Sequence, residues 1–277
     1  ILRRYGLADW LSQLRVDFIR DWIKDEQGVP LSSYSRETRI RMALTDLGPA
    51  FIKLGQVLSL RPDLIGPALA AELTTAGGDV VAREYDQADE TSINSMVASA
   101  LAHFGRLDGL FANVADLQTI LSDGDILSND CALWERTLQV NLIGTVLLVR
   151  AVLPTMLAQG CGAIVLTSSD AAVAGEPERP AYAASKAGVN SLSRHIASKW
   201  GRQGIRCNAV SPGIVLTEQL DANMPQQMKD WMLKGARSPR HGAPQDIAGA
   251  VAYLLSDDAE WVNGQAWRVN GGVSYAN

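Results

Sequence analysis

The sequence predicts an α/β fold, in which a parallel β-sheet flanked by helices follows an all-helical N-terminal segment. After about residue 67, short runs of β-branched and apolar residues alternate with longer amphipathic stretches, which is the pattern of strand–helix–strand units. Residues 1–66 show helical spacing only. The chain has 277 residues, of which 47% are hydrophobic and 20% charged, so it can bury a sizeable core. We therefore expect two parts, a helical segment over 1–66 and an α/β domain over 67–277.

Charge and cysteine content exclude several classes of function. The net charge is −5, and residues 67–277 carry 22 Asp and Glu against 15 Lys and Arg, so no nucleic-acid partner is expected. The three cysteines, Cys131, Cys161 and Cys207, lie far apart without a C-x-x-C spacing, which argues against a disulfide framework and against a zinc site. We expect a reducing compartment and no bound metal.

No segment is predicted to span a membrane or to act as a cleavable leader. Charged residues interrupt the first 24 positions, and the most apolar long stretch, 138–157, contains Asn141, Arg150 and Pro154. The expected location is therefore the cytoplasm.

The elements of the first segment follow from helical spacing. Residues 6–24 predict an amphipathic helix, because apolar side chains recur every three or four positions before Gly28. The same spacing predicts a second helix from Ser35 and a third over 50–60.

The third helix lies within 46–64, whose sequence is DLGPAFIKLGQVLSLRPDL. This stretch closely resembles the signature segment of the UbiB (ADCK) family of atypical kinase-like proteins, and the Lys-x-Gly-Gln motif of that family falls on Lys53, Gly55 and Gln56. No kinase catalytic loop and no D-F-G follow in this sequence. We therefore expect a helical cap without chemistry, with a contribution of these three residues to a nucleotide pocket as the alternative.

The second part alternates strands and helices. Short apolar runs bounded by Gly, Asp or Asn predict strands, and longer stretches with apolar positions three and four apart predict helices. The predicted strands are 79–83, 109–113, 162–167, 205–210 and 266–269. The predicted helices are 91–104, 133–158, 181–202 and 244–255. Since ligands of parallel sheets bind at the carboxyl ends of the strands, the chemistry is expected there.

One such strand end carries a group of polar residues that suits proton transfer. Ser169 follows the strand 162–167, and the next helix begins with Tyr182 and Lys186, which lie one helical turn apart on the same face. A phenol with a pKa near 10 is a poor base at neutral pH, and a fixed cation beside it would lower that pKa. The spacing therefore predicts a Ser/Tyr/Lys catalytic set.

These residues belong to motifs that resemble those of the short-chain dehydrogenases/reductases. The resemblance covers about 210 residues. Its motifs are GAIVLTSS at 162–169, YAASKAGV at 182–189, GIRCNAVSPGI at 204–214, VNGG at 269–272, LDGLFANVA at 107–115 and VNLIG at 140–144. Two motifs depart from the family pattern, because Asn270 stands where the family usually has Asp, and only Asn113 remains of an Asn-Asn pair.

The resemblance implies roles for the catalytic residues. Tyr182 would exchange a proton with the substrate, Lys186 would lower the pKa of Tyr182 and hold the nicotinamide ribose, and Ser169 would orient the substrate oxygen. Asn141 would position a water molecule in the proton relay. The hydride itself belongs to the nicotinamide of NAD or NADP.

The resemblance also implies residues that bind this coenzyme. Asp86 would contact the adenine, and Asn113 would support the end of its strand. The backbone of the turn after 205–210 would bind the carboxamide, and a hydroxyl beyond it would reach the pyrophosphate. The residues concerned are Pro212, Gly213, Ile214 and Thr217.

The family normally begins with a strand and a glycine-rich turn, T-G-x-x-x-G-x-G, and residues 1–78 contain no such spacing of glycines. The fold is therefore predicted to be an incomplete Rossmann-like parallel sheet flanked by helices, with an all-helical N-terminal segment. Without its usual neighbours, the strand 79–83 could pair directly with the strand 109–113. In that case Asp86 would move by about 10 Å toward the active site and lose its role at the adenine.

Two hypotheses of function follow. The first is NAD(P)-dependent hydride transfer between the nicotinamide and a small-molecule alcohol or carbonyl substrate. The alternative is a catalytically silent fusion product or an oligomerising module with impaired coenzyme binding, formed through the helices 133–158 and 181–202. A homo-oligomer is expected in either case. The segment 216–240 would form a mobile lid over the substrate, with Met224, Met228, Trp231 and Met232 as its apolar contacts.

Overall fold

The computed structural model describes residues 83–275, and all structural statements below concern these residues. The helices predicted within 1–66, the Lys53/Gly55/Gln56 motif and residues 79–82 of the first predicted strand lie outside the described residues. Arg83, the last residue of that strand, lies in an irregular segment.

The described strands form one parallel sheet. They are β1 (Gly109–Ala112), β2 (Gly162–Thr167), β3 (Ile205–Pro212) and β4 (Ala266–Val269), and they lie side by side in the order β1-β2-β3-β4. The central strand β2 is buried from Ala163 to Leu166, as expected for a parallel sheet covered on both faces. The predicted α/β fold is confirmed.

Helices of the described part connect these strands and are labelled α1 to α9 in chain order. They are Glu90–Phe104, Leu117–Ser122, Cys131–Leu138, Gly144–Gln159, Ala171–Ala174, Pro180–Trp200, Glu218–Asn223, Gln226–Gly235 and Pro244–Leu255. The ends follow local chemistry. Asp89 caps α1 by accepting the Thr91 N–H, Gly105 ends that helix at φ 72°, and a proline begins both α6 and α9.

Two helical layers cover the sheet. On one face, α1, α4 and α6 pack around Ile164 and Leu166 of β2. On the other face, α9 contacts all four strands and buries Val251 and Leu254 completely. Successive side chains of β2 point alternately into these two apolar layers. Because side chains on both faces are removed from water, the strand is hydrophobic at every position from Ala163 to Leu166.

The predicted helix 133–158 contains a change of helical geometry. Between α3 and α4, the five residues Gln139–Ile143 form a π-helical turn. Within the described residues, Cys131–Gln159 is the one helical stretch long and apolar enough to cross a membrane by length and composition. Of its most apolar window, 56% is buried inside the structure, and Leu148, Val152 and Met156 belong to the core. Here it serves as a core helix.

Candidate active site

The carboxyl ends of β1, β2 and β3 bring the predicted residues to one edge of the sheet. Asn113 follows β1, Ser168 and Ser169 follow β2, and Pro212 ends β3. The two serines differ in their environment. Ser168 is buried, and its hydroxyl donates to the backbone carbonyl of Lys186 at 3.1 Å, whereas Ser169 is only partly buried. Ser169 is therefore the serine that remains able to meet a ligand.

Tyr182 and Lys186 lie on the same side of α6, as predicted. The Lys186 Nζ atom lies 5.7 Å from the centroid of the Tyr182 ring. The same Nζ donates to the backbone carbonyl of Thr167 at 2.8 Å, which ties α6 to the end of β2. Lys186 is 2% exposed, and its burial lowers the pKa of the ammonium from 10.5 to about 8.

Burial is the largest influence on the pKa of Tyr182. Burial raises the pKa of the Tyr182 phenol above its ordinary value of 10.0, since a phenolate is poorly solvated there. The nearby Ser169 hydroxyl and the charge of Arg179 lower this pKa in part, while the carboxylate of Glu176 raises it. The expected effect of the Lys186 cation was inferred from spacing alone, whereas its ammonium is directed to Thr167.

Asn141 links the strand edge to α6 through its side chain. Its Oδ1 accepts the Asp116 N–H at 2.9 Å, and its Nδ2 donates to the Ser185 hydroxyl at 3.2 Å. That hydroxyl in turn donates to the backbone carbonyl of Tyr182 at 2.7 Å. Asn141 is fully buried within the π-helical turn, and the Thr145 hydroxyl donates to its backbone carbonyl at 2.8 Å. The chain of contacts therefore fixes Asn141 relative to the backbone of Tyr182.

A cavity of about 500 Å³ opens beside the end of β1. Asp86 forms part of its wall, and it lies in the turn before α1, where its Oδ1 accepts the Ala88 N–H at 2.8 Å. An ion pair between Asp116 and Arg136 forms another polar part of the wall. The Arg136 Nε and Asp116 Oδ2 atoms are 2.8 Å apart. The lining residues are Tyr85, Asp86, Gln87, Val114, Ala115, Asp116, Leu117, Gln118, Arg136 and Val140. Asn113 is the neighbour of this lining and is not itself part of it.

The turn after β3 is closely packed against the end of β4. The Gly213 N–H donates to the Val269 carbonyl at 3.1 Å, and a Cβ atom at Gly213 would lie 2.8 Å from the Cα of Asn270. Ile214 follows with 40% of its surface exposed. The Thr217 hydroxyl accepts the Leu220 N–H at 3.2 Å and so caps α7. Of the residues predicted here, Ile214 presents an accessible side chain and Thr217 already has a partner.

The predicted lid contains α7 and α8. Met228 and Trp231 of α8 are exposed by 47% and 71%, while Met224 and Met232 are partly buried. The two short helices were not predicted, although Met228, Trp231 and Met232 of α8 show helical spacing.

Sequence reasoning also missed two buried carboxylates. Asp123 accepts the Tyr182 N–H at 2.8 Å, and Asp170 accepts from Asn270 at 3.1 Å. The sequence did show that Asn270 stands where the family usually has Asp. This departure was the one available signal that an acidic partner, Asp170, lies beside it. Nothing in the spacing of Asp123 distinguishes it from a surface acid.

Within residues 83–275, no three His, Cys, Asp or Glu side chains lie close enough together to hold a metal ion. Cys131 and Cys161 are exposed and Cys207 is buried, and each is a free thiol. Burial raises the pKa of the Cys207 thiol.

Comparison with known proteins identifies proteins to which this chain is similar. Residues 60–274 match the family model described as enoyl-(acyl carrier protein) reductase. The chain is 38% identical over 233 residues to a "Probable short-chain type dehydrogenase/reductase" of Bradyrhizobium diazoefficiens, covering 76% of this chain and 83% of the relative. It is 33% identical over 208 residues to the 7alpha-hydroxysteroid dehydrogenase of Bacteroides fragilis, covering 75% and 80%.

A solved structure shows the same likeness. The crystal structure of levodione reductase superimposes with a TM-score of 0.67 and 29% identity, over 80% of this chain and 92% of that protein.

Proposed function

Because the chain belongs to the short-chain dehydrogenase/reductase family, we propose that the residues at the carboxyl edge of its sheet carry out the reaction of that family. The reaction class is NAD(P)-dependent oxidoreduction of an alcohol or ketone. The nicotinamide coenzyme, when bound, supplies or accepts the hydride. The chain itself must bind the coenzyme, orient the substrate oxygen and move one proton.

Tyr182 is proposed to move that proton. The observation that carries the proposal is the placement of Ser169, Tyr182 and Lys186 at the end of β2, where Ser169 follows the strand and Lys186, 5.7 Å from the Tyr182 ring, donates to the Thr167 carbonyl. A phenol whose pKa is raised by burial is protonated at neutral pH, so it can donate its proton to a ketone oxygen. Ser169 would hold the same oxygen through its hydroxyl.

Lys186 is proposed to hold the ribose of the nicotinamide and to replace the proton that Tyr182 gives up. With a pKa of about 8, its ammonium is close to half-protonated in mildly alkaline solution, which suits a group that both releases and accepts a proton. Asn141 is proposed to support this relay through a water molecule. Its position inside a π-helical turn supports the assignment, because such turns often occur at functional sites.

The cavity beside β1 fits the adenosine end of a dinucleotide. Its volume of about 500 Å³ and its exposed carboxylate at Asp86 support adenine binding there, with Asn113 holding the adjacent strand end. At the other end of the coenzyme, the backbone of Pro212, Gly213 and Ile214 would bind the carboxamide. Thr217 would contact the pyrophosphate. Both NAD and NADP remain candidates.

The pyrophosphate between these two ends lacks its usual binding element in the sequence. Residues 1–78 contain no T-G-x-x-x-G-x-G turn, whose backbone N–H groups normally capture the phosphates. This feature supports the second hypothesis, a catalytically silent module with impaired coenzyme binding. The matched family region begins at residue 60, so it does not mark a boundary at residue 66 and does not include most of 46–64. The domain boundary near 66 and the kinase-like resemblance of 46–64 therefore remain predictions. A homo-oligomer is proposed under both hypotheses, the enzyme and the silent module.

The proposed function is tested by coenzyme-dependent turnover. The purified chain is mixed with NADH or NADPH and a set of aliphatic, alicyclic and steroid ketones, and loss of reduced nicotinamide absorbance is followed. Turnover that disappears in Tyr182→Phe supports the proposal. Turnover retained in that variant would remove Tyr182 from its role, and absence of turnover with both coenzymes would favour the silent module.

A further inference from the structure

The N-terminus of α6 carries the proposed proton-transfer residue, yet it has no cap of its own. Arg179 occupies the N-cap position and makes no side-chain cap, and Pro180 follows it without an N–H group. Arg179 also lies in the left-handed region at φ 64°, which few side chains adopt. The N–H groups of this first turn therefore need acceptors from another segment.

Asp123 provides such an acceptor from the end of α2, 59 positions away in the sequence. Its Oδ2 accepts the backbone N–H of Tyr182 at 2.8 Å, and its Oδ1 accepts the Asn129 Nδ2 at 2.6 Å. Asp123 is only 5% exposed. Both carboxylate oxygens are thus engaged, and the one that meets Tyr182 replaces the missing N-cap acceptor.

A second contact joins the same two segments. The Arg179 N–H donates to the Gly124 carbonyl at 2.8 Å, and the Gly124 N–H donates to the Asn129 Oδ1 at 2.8 Å. A Cβ atom at Gly124 would lie 2.6 Å from the Ser128 hydroxyl, so a larger residue at this position would require that side chain to move. We refer to Asp123, Gly124 and Asn129 as the brace. The brace holds Arg179 in a conformation that costs free energy elsewhere in proteins.

We infer that Asp123 is a positioning residue for Tyr182. By fixing the backbone N–H of Tyr182, the carboxylate sets the direction of its Cα–Cβ bond, and so the place of the phenol relative to Ser169. Asp123 acts through the helix backbone and does not itself meet the substrate. The inference rests on the proposed role of Tyr182, but it is tested by observing that tyrosine directly, so it can fail while hydride transfer stands.

The experiment compares Asp123→Ala with Asp89→Ala in the full chain. Asp89 is a matched control, since it accepts a backbone N–H at the start of α1 at 2.9 Å and the proposed chemistry does not use it. Two quantities are measured. Hydrogen exchange reports the protection of the Tyr182 amide, and the ultraviolet difference between each protein and its Tyr182→Phe counterpart reports the titration of that one phenol.

The expected result separates the two variants. Asp123→Ala should raise the exchange rate of the Tyr182 amide by about tenfold or more and move the phenol titration toward the value of a solvated tyrosine. Asp89→Ala should lower the melting temperature without either effect. If Asp123→Ala lowers the melting temperature and leaves both measurements of Tyr182 unchanged, Asp123 is a stability cap only and the inference is overturned.

A second variant covers the case in which Asp123→Ala does not fold. Asn129→Ala keeps the carboxylate and removes one of its two partners, so an intermediate rise in Tyr182 amide exchange is expected. Exchange and titration equal to those of the unmodified chain would overturn the inference in the same way.

Discussion

Asn270 donates a hydrogen bond from its Nδ2 to the Oδ1 of Asp170, with 3.1 Å between the two atoms. The Ser274 hydroxyl donates to the same oxygen, and the Asp170 N–H donates to the Pro212 carbonyl at 3.1 Å. Asp170 directly follows Ser169, so this contact joins the end of β2 that carries the candidate site to the turn after β4. An Asp at position 270 would instead bring a second carboxylate to face that of Asp170.

Replacing Asn270→Asp should destabilise the fold, because it places two carboxylates at hydrogen-bond distance. We expect a loss of about 1–3 kcal/mol in the free energy of unfolding at pH 7, measured in urea. The double variant Asp170→Asn with Asn270→Asp restores one donor and one carboxylate and should recover most of the loss. Asn94→Asp on the exposed side of α1 is the control. Equal stability of Asn270→Asp and this control would contradict the prediction.

Replacing Tyr182→Phe should abolish proton transfer with little effect on folding. The ring remains and only the hydroxyl is removed, so turnover should fall by about 10² to 10⁴ while the melting temperature changes little. Tyr253→Phe is the control, because the Tyr253 ring stacks on Trp267 and takes no part in the proposed chemistry. Steady-state rates of the three proteins with one ketone give the answer, and similar rates in all three would refute the role of Tyr182.

The buried ammonium of Lys186 should make stability depend on pH. Its pKa is lowered from 10.5 to about 8 in the folded state, so between these values the unfolded chain binds more protons. The stability of the folded state should therefore rise with pH across this interval. Relative to Lys186→Met, the unmodified chain should gain about 3 kcal/mol in unfolding free energy between pH 7 and pH 10.5. A constant difference between the two proteins would show that the ammonium is not desolvated.

Coenzyme binding should be weak. The glycine-rich turn is absent from the sequence, and losing several hydrogen bonds to phosphate, about 1.5–3 kcal/mol each, moves a micromolar Kd into the millimolar range. Calorimetric titration with NADH, NADPH and adenosine measures this. Adenosine is the control ligand, because it can occupy the cavity at Asp86 without needing phosphate contacts, and its Kd should lie within about tenfold of that of NADH. A Kd for NADH or NADPH below about 10 μM would reveal a replacement phosphate site.

Most long elements could be predicted, because their limits are marked locally. The bounds of β2, α9 and β4 agree with the predictions, since each is a clear apolar or periodic run with a Gly, Pro or polar residue at its ends. The strand predicted over 205–210 continues to Pro212, because pairing with β4 extends to that residue. This extension depends on a partner 57 positions away, which no local pattern displays.

The candidate site was predictable in its residues but only partly in its contacts. The turn-to-turn spacing of Tyr182 and Lys186 follows from helix geometry, and the structure has both on α6. Whether the ammonium approaches a phenolate or a carbonyl depends on tertiary packing, and here it donates to Thr167. The partners of Asp123 and Asp170 are likewise 59 and 100 positions away, beyond the reach of any periodic pattern.

The π-helical turn Gln139–Ile143 changes the rotational phase of the helix that contains it. One extra residue in a turn rotates everything after it by about 100° relative to a regular α-helix. As a result α3 can direct its apolar side toward α6, while α4 directs its own toward α1 and the sheet. Deleting one residue from this turn would restore a regular helix and bring these two sides out of register with their neighbours. The turn thus lets one helix serve two differently oriented packing surfaces, with Asn141 at the point where they meet.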